Sequence, residues 1–171
     1  MIWGFVGGRD FDATALTALL KSVPPTDIVA TGSAIGSEKF VREQAPELGL
    51  DLRVAPLRHE LFDHDPKASA APCPWAFPPD DTRMKQLIRL DQAMIYGERM
   101  AAMREGVKFS GAMEAQVTDI VFAARGGTLV LMGGGRAKQA QAIVKRVQET
   151  PFYNNPRQKA QMRPRWEVVT L

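Results

Sequence analysis

Residues 27–41, DIVATGSAIGSEKFV, decide the fold class of this chain. An apolar run that begins at Ile28 leads into glycine and small hydroxyl residues, and a helical pattern opens at Glu38. A buried strand that turns tightly into a helix leaves the first backbone N–H groups of the helix unpaired, with the positive end of the helix dipole behind them. Such a turn can bind an anion, most often phosphate, or can serve as an ordinary glycine connection.

The spacing of this turn matches neither of the two common phosphate-binding motifs. It lacks the G-x-G-x-x-G order of dinucleotide-binding turns, and no Gly-Lys-Ser/Thr follows, as a P-loop would require. Only the general mechanism of anion binding at a helix start therefore applies.

The plan of strand, glycine turn and helix occurs three times along the chain. The predicted strands cover residues 2–6, 28–30, 50–55, 128–132 and 166–171, and the predicted helices cover residues 14–22, 38–48, 81–104, 110–124 and 137–148. Residues 118–123 also suit a strand, because the apolar period is ambiguous there. Two consecutive strand–helix–strand crossovers predict a parallel sheet covered by helices, a Rossmann-like α/β fold.

The composition limits the class of protein. The chain has 171 residues, 45% of them hydrophobic and 24% charged, which predicts one soluble domain over residues 1–171. One cysteine, Cys73, cannot form an internal disulfide, and neither a signal peptide nor a run of about 20 apolar residues is present, so we expect a cytoplasmic location and no membrane partner. The net charge of +3 is concentrated late in the chain and fits either a solvated surface or contact with nucleic acid.

A proline-rich segment interrupts the pattern at residues 56–80 and predicts a long loop. Its aromatic and acidic residues could cover a ligand. His59 and His64 lie near Asp63 and Asp65, but no pair of cysteines supports a metal site, and none is predicted.

The three glycine turns should meet, because the strands of a parallel sheet all point the same way and ligands bind at their carboxyl ends. The residues predicted to bind the ligand are Gly7, Gly8, Arg9, Asp10, Gly32, Ser33, Ala34, Gly36, Ser37, Glu38, Gly133, Gly134, Gly135 and Arg136. No catalytic residue is assigned.

These motifs resemble those of the SLOG superfamily, and within it the small YspA/YpsA-like domain. That group has GGRD followed by an aromatic residue, then GGAxGAD, then GGxGT after a strand. Here the first motif is intact at residues 7–11, GGRDF, the second reads GSAIGSE at residues 32–38, and the third reads GGGRA at residues 133–137, without the Gly-Thr pair. The resemblance covers most of the chain outside residues 56–80 and the polar tail.

The resemblance implies a sheet whose loops hold a nucleotide or a nucleotide-derived ligand. No cofactor is predicted. The three glycine turns would approach the phosphate, Arg9 would donate to its oxygens, and Asp10 and Glu38 would accept from ribose hydroxyls or orient Arg9. Arg9 and Asp10 could equally form a local ion pair that holds the loop. A homodimer is also expected from the resemblance.

The sequence leaves three functions to be distinguished. The first is binding, as a sensor or sequestering protein. The second is a nucleotide N-glycosidase or phosphoribohydrolase, since SLOG relatives of the LOG type cleave nucleotides with a glutamate beside the glycine turn. No carboxylate follows Gly135 closely here, whereas general acid–base catalysis needs such a group. The third is binding of single-stranded nucleic acid through the basic tail.

Overall fold

The structure is a computed structural model that describes residues 1–57, 110–149 and 165–171. Within these ranges the chain forms five strands and four helices in an α/β arrangement of the Rossmann-like type. In chain order they are β1 (Ile2–Gly7), α1 (Ala13–Ser22), β2 (Ile28–Gly32), α2 (Ser37–Glu47), β3 (Asp51–Ala55), α3 (Ser110–Ala123), β4 (Thr128–Met132), α4 (Gly134–Glu149) and β5 (Glu167–Thr170). The predicted fold class is therefore confirmed.

All strand pairs are parallel, and the sheet order is β3-β2-β1-β4-β5. β1 is central, because Phe5 pairs with Thr31 of β2 on one side and with Val130 of β4 on the other. The chain first builds the sheet outward from β1 to β3 and then returns to the other side of β1. The junction between β1 and β4 is therefore a topological switch point, where ligands bind in open α/β sheets.

Alternate side chains of the strands form two apolar cores, one on each face of the sheet. Phe5 lies in one core with Leu16 of α1 and Val41 of α2. The next residue, Val6, lies in the other core with Ile120 of α3 and Ile143 of α4. Since successive side chains of a strand point to opposite faces, this alternation places α1 and α2 on one face and α3 and α4 on the other.

Helix α3 resolves the ambiguity at residues 118–123 in favour of a helix. Val117, Ile120, Val121 and Ala124 are fully buried, at the i, i+3, i+4 and i+7 spacing of one helical face. Trp166, just before β5, donates its indole N–H to the Val121 carbonyl at 2.7 Å and so ties the last strand to this helix.

Two helix boundaries follow from local chemistry. Asp12 caps α1 by accepting from the backbone N–H groups of Thr14 and Ala15. α2 ends one residue after Pro46, and the N–H of Gly49, which has φ +73°, bonds to the Pro46 carbonyl at 3.0 Å, so this glycine terminates the helix.

The helix predicted after the third glycine turn starts earlier than expected. The sequence pattern indicated residues 137–148, whereas α4 covers Gly134–Glu149. Gly134 and Gly135 were interpreted as part of the turn because glycine disfavours helix interiors. The first turn of a helix is exempt, since its N–H groups have no intrahelical partner there.

Several predictions fall outside the described residues: most of the proline-rich segment at 56–80 with its two histidines, the helix at 81–104 and the polar segment at 151–164. The helices of the described ranges are all too short or too polar to cross a membrane.

At the amino ends of β1 and β2, Asp27 accepts from the Trp3 indole N–H at 2.9 Å and from the amino group of Met1 at 3.0 Å. These two donors lower the pKa of the Asp27 carboxyl, with the Trp3 hydrogen bond as the larger cause. A carboxyl whose pKa is lower in the folded state stabilises the fold above its unfolded pKa, and this contribution is lost as the pH falls through the folded value.

We therefore expect Asp27→Asn to reduce the loss of stability between pH 6 and pH 3. Urea unfolding of the wild type and the variant at both pH values measures this difference. Trp3→Phe should reduce the same loss in part, because it removes only the indole donor. An unchanged pH dependence in both variants would contradict the assignment.

Candidate functional site

The three glycine turns meet at the carboxyl edge of the sheet, as the parallel topology predicted. Gly8 lies between the other two turns: its N–H donates to the Gly133 carbonyl at 3.0 Å, and its carbonyl accepts from the Ser37 N–H at 2.9 Å. A Cβ placed on Gly8 would stand 3.2 Å from the Gly134 Cα, and one placed on Gly36 would stand 2.6 Å from the Gly8 carbonyl oxygen. The convergence therefore depends on backbone-to-backbone packing that larger residues would prevent.

The first turns of α2 and α4 cross over the end of β1 and are joined by a buried ion pair. Arg136 donates from Nε to Glu38 Oε1 at 2.7 Å and from Nη2 to Glu38 Oε2 at 3.3 Å. The side chain of Glu38 is fully buried, and that of Arg136 is only 9% exposed. Glu38 also accepts from the N–H groups of Gly7 and Ala34, at 3.5 and 3.3 Å. Both oxygens of this carboxylate are thus occupied from within the chain.

Gln116 of α3 extends this network, and sequence reasoning missed it. Its Oε1 accepts from Arg136 Nη2 at 2.6 Å, and its Nε2 donates to Ser33 Oγ and to the Ala55 carbonyl, each at 2.7 Å. Gln116 is fully buried. A signal existed, because a glutamine stands between Met113 and Ile120 on the apolar side of a helix, and a buried amide needs partners.

Arg42 holds the second turn from the side of α2. Its Nη1 donates to the carbonyls of Gly32 and Ala34, the latter at 2.9 Å. These two hydrogen bonds, together with the one that the Ala34 N–H donates to the Glu38 carboxylate, hold the turn in one conformation.

The predicted ligand-binding residues divide into an inner and an outer group. The inner group is buried: Gly7, Gly32, Ser33, Ala34, Ser37, Glu38 and Arg136. The outer group is half-buried or exposed: Gly8, Arg9, Asp10, Gly36, Gly133, Gly134 and Gly135. We call the outer group the rim. Ligand contact by either group remains a prediction, and the rim is the part of the site that is open to solvent.

In the inner group, the glycines are explained by the chain itself. A Cβ on Gly7 would stand 2.5 Å from both Ser37 Oγ and Met132 Cβ, and one on Gly32 would collide with Glu38 Oε2. These two positions are small because side chains from α2 fill the space above the strand ends.

Gly135 differs from these positions. It is exposed, and a Cβ there would meet no atom within 4 Å. Packing within the described residues therefore does not require a glycine at 135, although the position lies in the first turn of α4. Open space at a helix start is the feature that permits an anion to approach the backbone.

The three helix starts are not equivalent. Asp12 already supplies a carboxylate to the start of α1, so this helix needs no external anion. The first turn of α2 contains Glu38, and its Ser37 N–H already donates to the Gly8 carbonyl, whereas the first turn of α4 contains no acidic residue. The start of α4, beside Gly8, is therefore the one best suited to an anion.

Two buried donors at these same helix starts have no hydrogen-bond partner among the described residues. They are Ser37 Oγ, at the start of α2, and Arg136 Nη1, in the first turn of α4. A buried guanidinium nitrogen or hydroxyl without a partner costs stability, and native structures rarely leave one unless water or a ligand completes it.

A separate groove of about 600 Å³, away from the rim, lies between α4 and the neighbouring strands β4 and β5. Its lining includes the apolar side chains of Leu129, Leu131, Val144 and Val168 and the charged side chains of Lys138 and Lys145. None of the predicted ligand-binding residues lines it.

The described residues contain no group of three or more histidine, cysteine or acidic side chains placed to hold a metal ion. His59 and His64 lie outside the described residues. A scan against protein-family models and searches of curated proteins and of solved structures found no match for this chain.

Proposed function

We propose that this chain binds a nucleotide or a nucleotide-derived phosphate ligand at the rim, with its phosphate at the start of α4. The observations that carry the proposal lie in the first turn of α4: Gly135 is open, and the buried Arg136, which is fixed by Glu38 and Gln116, leaves Nη1 without a partner among the described residues. The position at the switch point between β1 and β4 supports it. The resemblance to SLOG domains supports the same ligand class.

Two carboxylates, those of Glu38 and Glu114, could replace the absent LOG-type glutamate. Neither is placed to act on a bound nucleotide, and this favours binding over hydrolysis. Glu38 is fully buried, and its oxygens accept from Arg136, Gly7 and Ala34, so it has no free position for a sugar or a water. Glu114 is half-exposed and lies 4.0 Å from Arg146, which is ten residues beyond Arg136 along α4. A general acid or base must lie within hydrogen-bond reach of the reacting group.

Gly135→Asp tests the site, because fold and binding should respond in opposite directions. The new carboxylate has open space and lies at a helix start, where an acidic residue stabilises by about 0.3–1 kcal/mol. The same charge should repel a phosphate and weaken binding at least tenfold. Thermal unfolding and calorimetric titration with AMP, ADP and NAD measure the two effects.

Gly135→Ala is the matched control, since it removes the glycine without adding charge. Retained affinity in Gly135→Asp would refute a phosphate at the start of α4. Free base released from AMP or NAD during the titration would favour the hydrolase instead.

Arg9→Ala should weaken any phosphate ligand by about 1.5–3 kcal/mol, the usual contribution of a hydrogen bond to a charged group. Arg9 is exposed on the rim, so little stability should be lost. Arg125→Ala is the control, because Arg125 is also exposed but precedes β4 at the opposite edge of the sheet. If Arg9→Ala binds the ligand as tightly as Arg125→Ala does, Arg9 does not contact the phosphate.

The salt dependence of binding distinguishes a free nucleotide from nucleic acid. A single-stranded oligonucleotide with six phosphates in contact with the protein should lose about 300-fold in affinity between 50 and 200 mM salt. A free nucleotide at the rim should show a much shallower dependence. The predicted homodimer is measured in the same samples by light scattering.

A further inference from the structure

We infer that the rings of Phe11 and Phe40 form a stacking surface for the base of the ligand, so that the chain recognises a nucleoside phosphate and not the sugar phosphate alone. This inference rests on the proposed function and specifies its ligand. Phe11 is the one residue of the GGRDF motif at residues 7–11 that the proposed phosphate site does not use.

Phe11 begins close to the proposed position of the phosphate. The Asp10 carbonyl oxygen lies 3.2 Å from the Cβ position of Gly133, which directly precedes α4, and Phe11 is the next residue of the chain after Asp10. Asp10 itself is exposed. A ligand with its phosphate at the start of α4 therefore reaches Phe11 by passing Asp10, the residue expected to accept from ribose hydroxyls.

Phe40 brings a second ring to Phe11 from α2. The two ring centroids are 5.4 Å apart, and the ring planes are inclined at 56°. The Phe40 N–H donates to the Gly36 carbonyl at 3.0 Å, and Gly36 packs against the loop that leads to Phe11, since a Cβ on Gly36 would stand 2.8 Å from the Arg9 Cα. The contact between the first two glycine turns thus holds the ring pair beside the rim.

Burial of the two residues leaves room for a role beyond packing. Both pack on the apolar core beneath α1 and α2, yet both are only half-buried. Phe11 precedes the N-cap Asp12, a position where an apolar side chain often packs against the first turns of the helix. That role requires an apolar side chain but not an aromatic one.

A pair of partly accessible rings beside a phosphate site suits a nucleobase. Every base has a flat π-face, so stacking on aromatic side chains tolerates different bases, and it usually contributes about 5- to 150-fold in affinity for each base. The rim would therefore hold the phosphate by backbone N–H groups at one end and the base by aromatic contact at the other.

Calorimetric titration with AMP and with ribose 5-phosphate tests the inference, because the base is what distinguishes these two compounds. We expect AMP to bind the wild type at least tenfold more tightly. Phe11→Leu keeps an apolar side chain before α1 but removes the ring, so it should weaken AMP at least fivefold and leave ribose 5-phosphate unchanged. Phe122→Leu is the control, because Phe122 is also partly accessible but contacts Trp166, and it should change neither affinity.

A second measurement does not depend on a variant. Nuclear Overhauser contacts should join the adenine protons of bound AMP to the ring protons of Phe11 and Phe40 in the wild type. Their absence would overturn the inference even if Phe11→Leu failed to fold.

The remaining outcomes also decide between the two proposals. Equal affinity of the wild type for AMP and ribose 5-phosphate, or an unchanged affinity for AMP in Phe11→Leu, would overturn base stacking and leave the phosphate site in place. Equal weakening of both compounds in Phe11→Leu would show a structural role only and would also overturn it. Failure of both compounds to bind the wild type would overturn the proposed function as well.

Discussion

Arg136→Met is expected to lower the free energy of unfolding by about 3–5 kcal/mol, because it leaves the carboxylate of Glu38 buried without its cation. The loss should be large for this chain, since the same guanidinium also donates to Gln116 and joins α4 to α2 and α3. Glu38→Gln should cost a similar amount, because it leaves the buried guanidinium without its anion. Urea unfolding at pH 7 measures both variants.

The double variant Glu38→Leu/Arg136→Met separates the penalty of an unpaired charge from the contribution of the pair itself. Replacing both members of a buried pair by apolar side chains is often close to neutral, so we expect the double variant to be more stable than either single one. The exposed pair of Lys145 and Glu149 at 3.9 Å is the control, and Lys145→Met should change stability by only about 0.3–0.5 kcal/mol. Equal, small effects at both pairs would show that the buried network does not hold the site together.

Gly36→Ala is expected to cost about 2–6 kcal/mol through two separate effects. Gly36 has φ +87° and ψ −133°, a conformation that side-chain-bearing residues adopt only with strain of about 1–3 kcal/mol. A Cβ there would also stand 2.6 Å from the Gly8 carbonyl oxygen and 2.8 Å from the Arg9 Cα, an overpacking that adds about 1–3 kcal/mol. Since Gly8 joins the other two turns, the variant should weaken ligand binding together with stability.

Gly126→Ala is the matched control for strain without collision. Gly126 has φ +78°, but a Cβ there would meet no atom within 4 Å. It should therefore cost less than Gly36→Ala and leave binding at the rim unchanged, since it precedes β4 at the opposite edge of the sheet. Thermal unfolding ranks the two variants, and equal losses would show that contact between the turns contributes little.

The buried ion pair was only partly foreseen, since its two residues could be picked out in the sequence but the contact between them could not. Glu38 and Arg136 were both expected to face a ligand, and the structure pairs them with each other across 98 positions of the chain. Local patterns could not reveal this pair, because it forms only where the first turns of two helices from opposite faces of the sheet cross over β1. Gln116 reached the same network from a third helix.

The sequence by itself determined the fold class and the edge at which the turns meet. Short apolar runs bounded by glycines, such as residues 128–132, are typical of inner strands, and each glycine turn directs the chain into a helix. A parallel sheet follows, and the carboxyl ends of its strands share one edge. These properties depend on hydrophobic periodicity and backbone sterics, which are local along the chain.

Only the tertiary structure decided which parts of that edge are filled by the chain and which remain open. Gly7 and Gly32 lie beneath Ser37 and Glu38, whereas Gly135 is open, although all three look alike in the sequence. The difference arises because the space above a strand end depends on side chains that arrive from distant helices. Charge pairing and close packing are settled by distances in space, and the order of residues does not encode those distances locally.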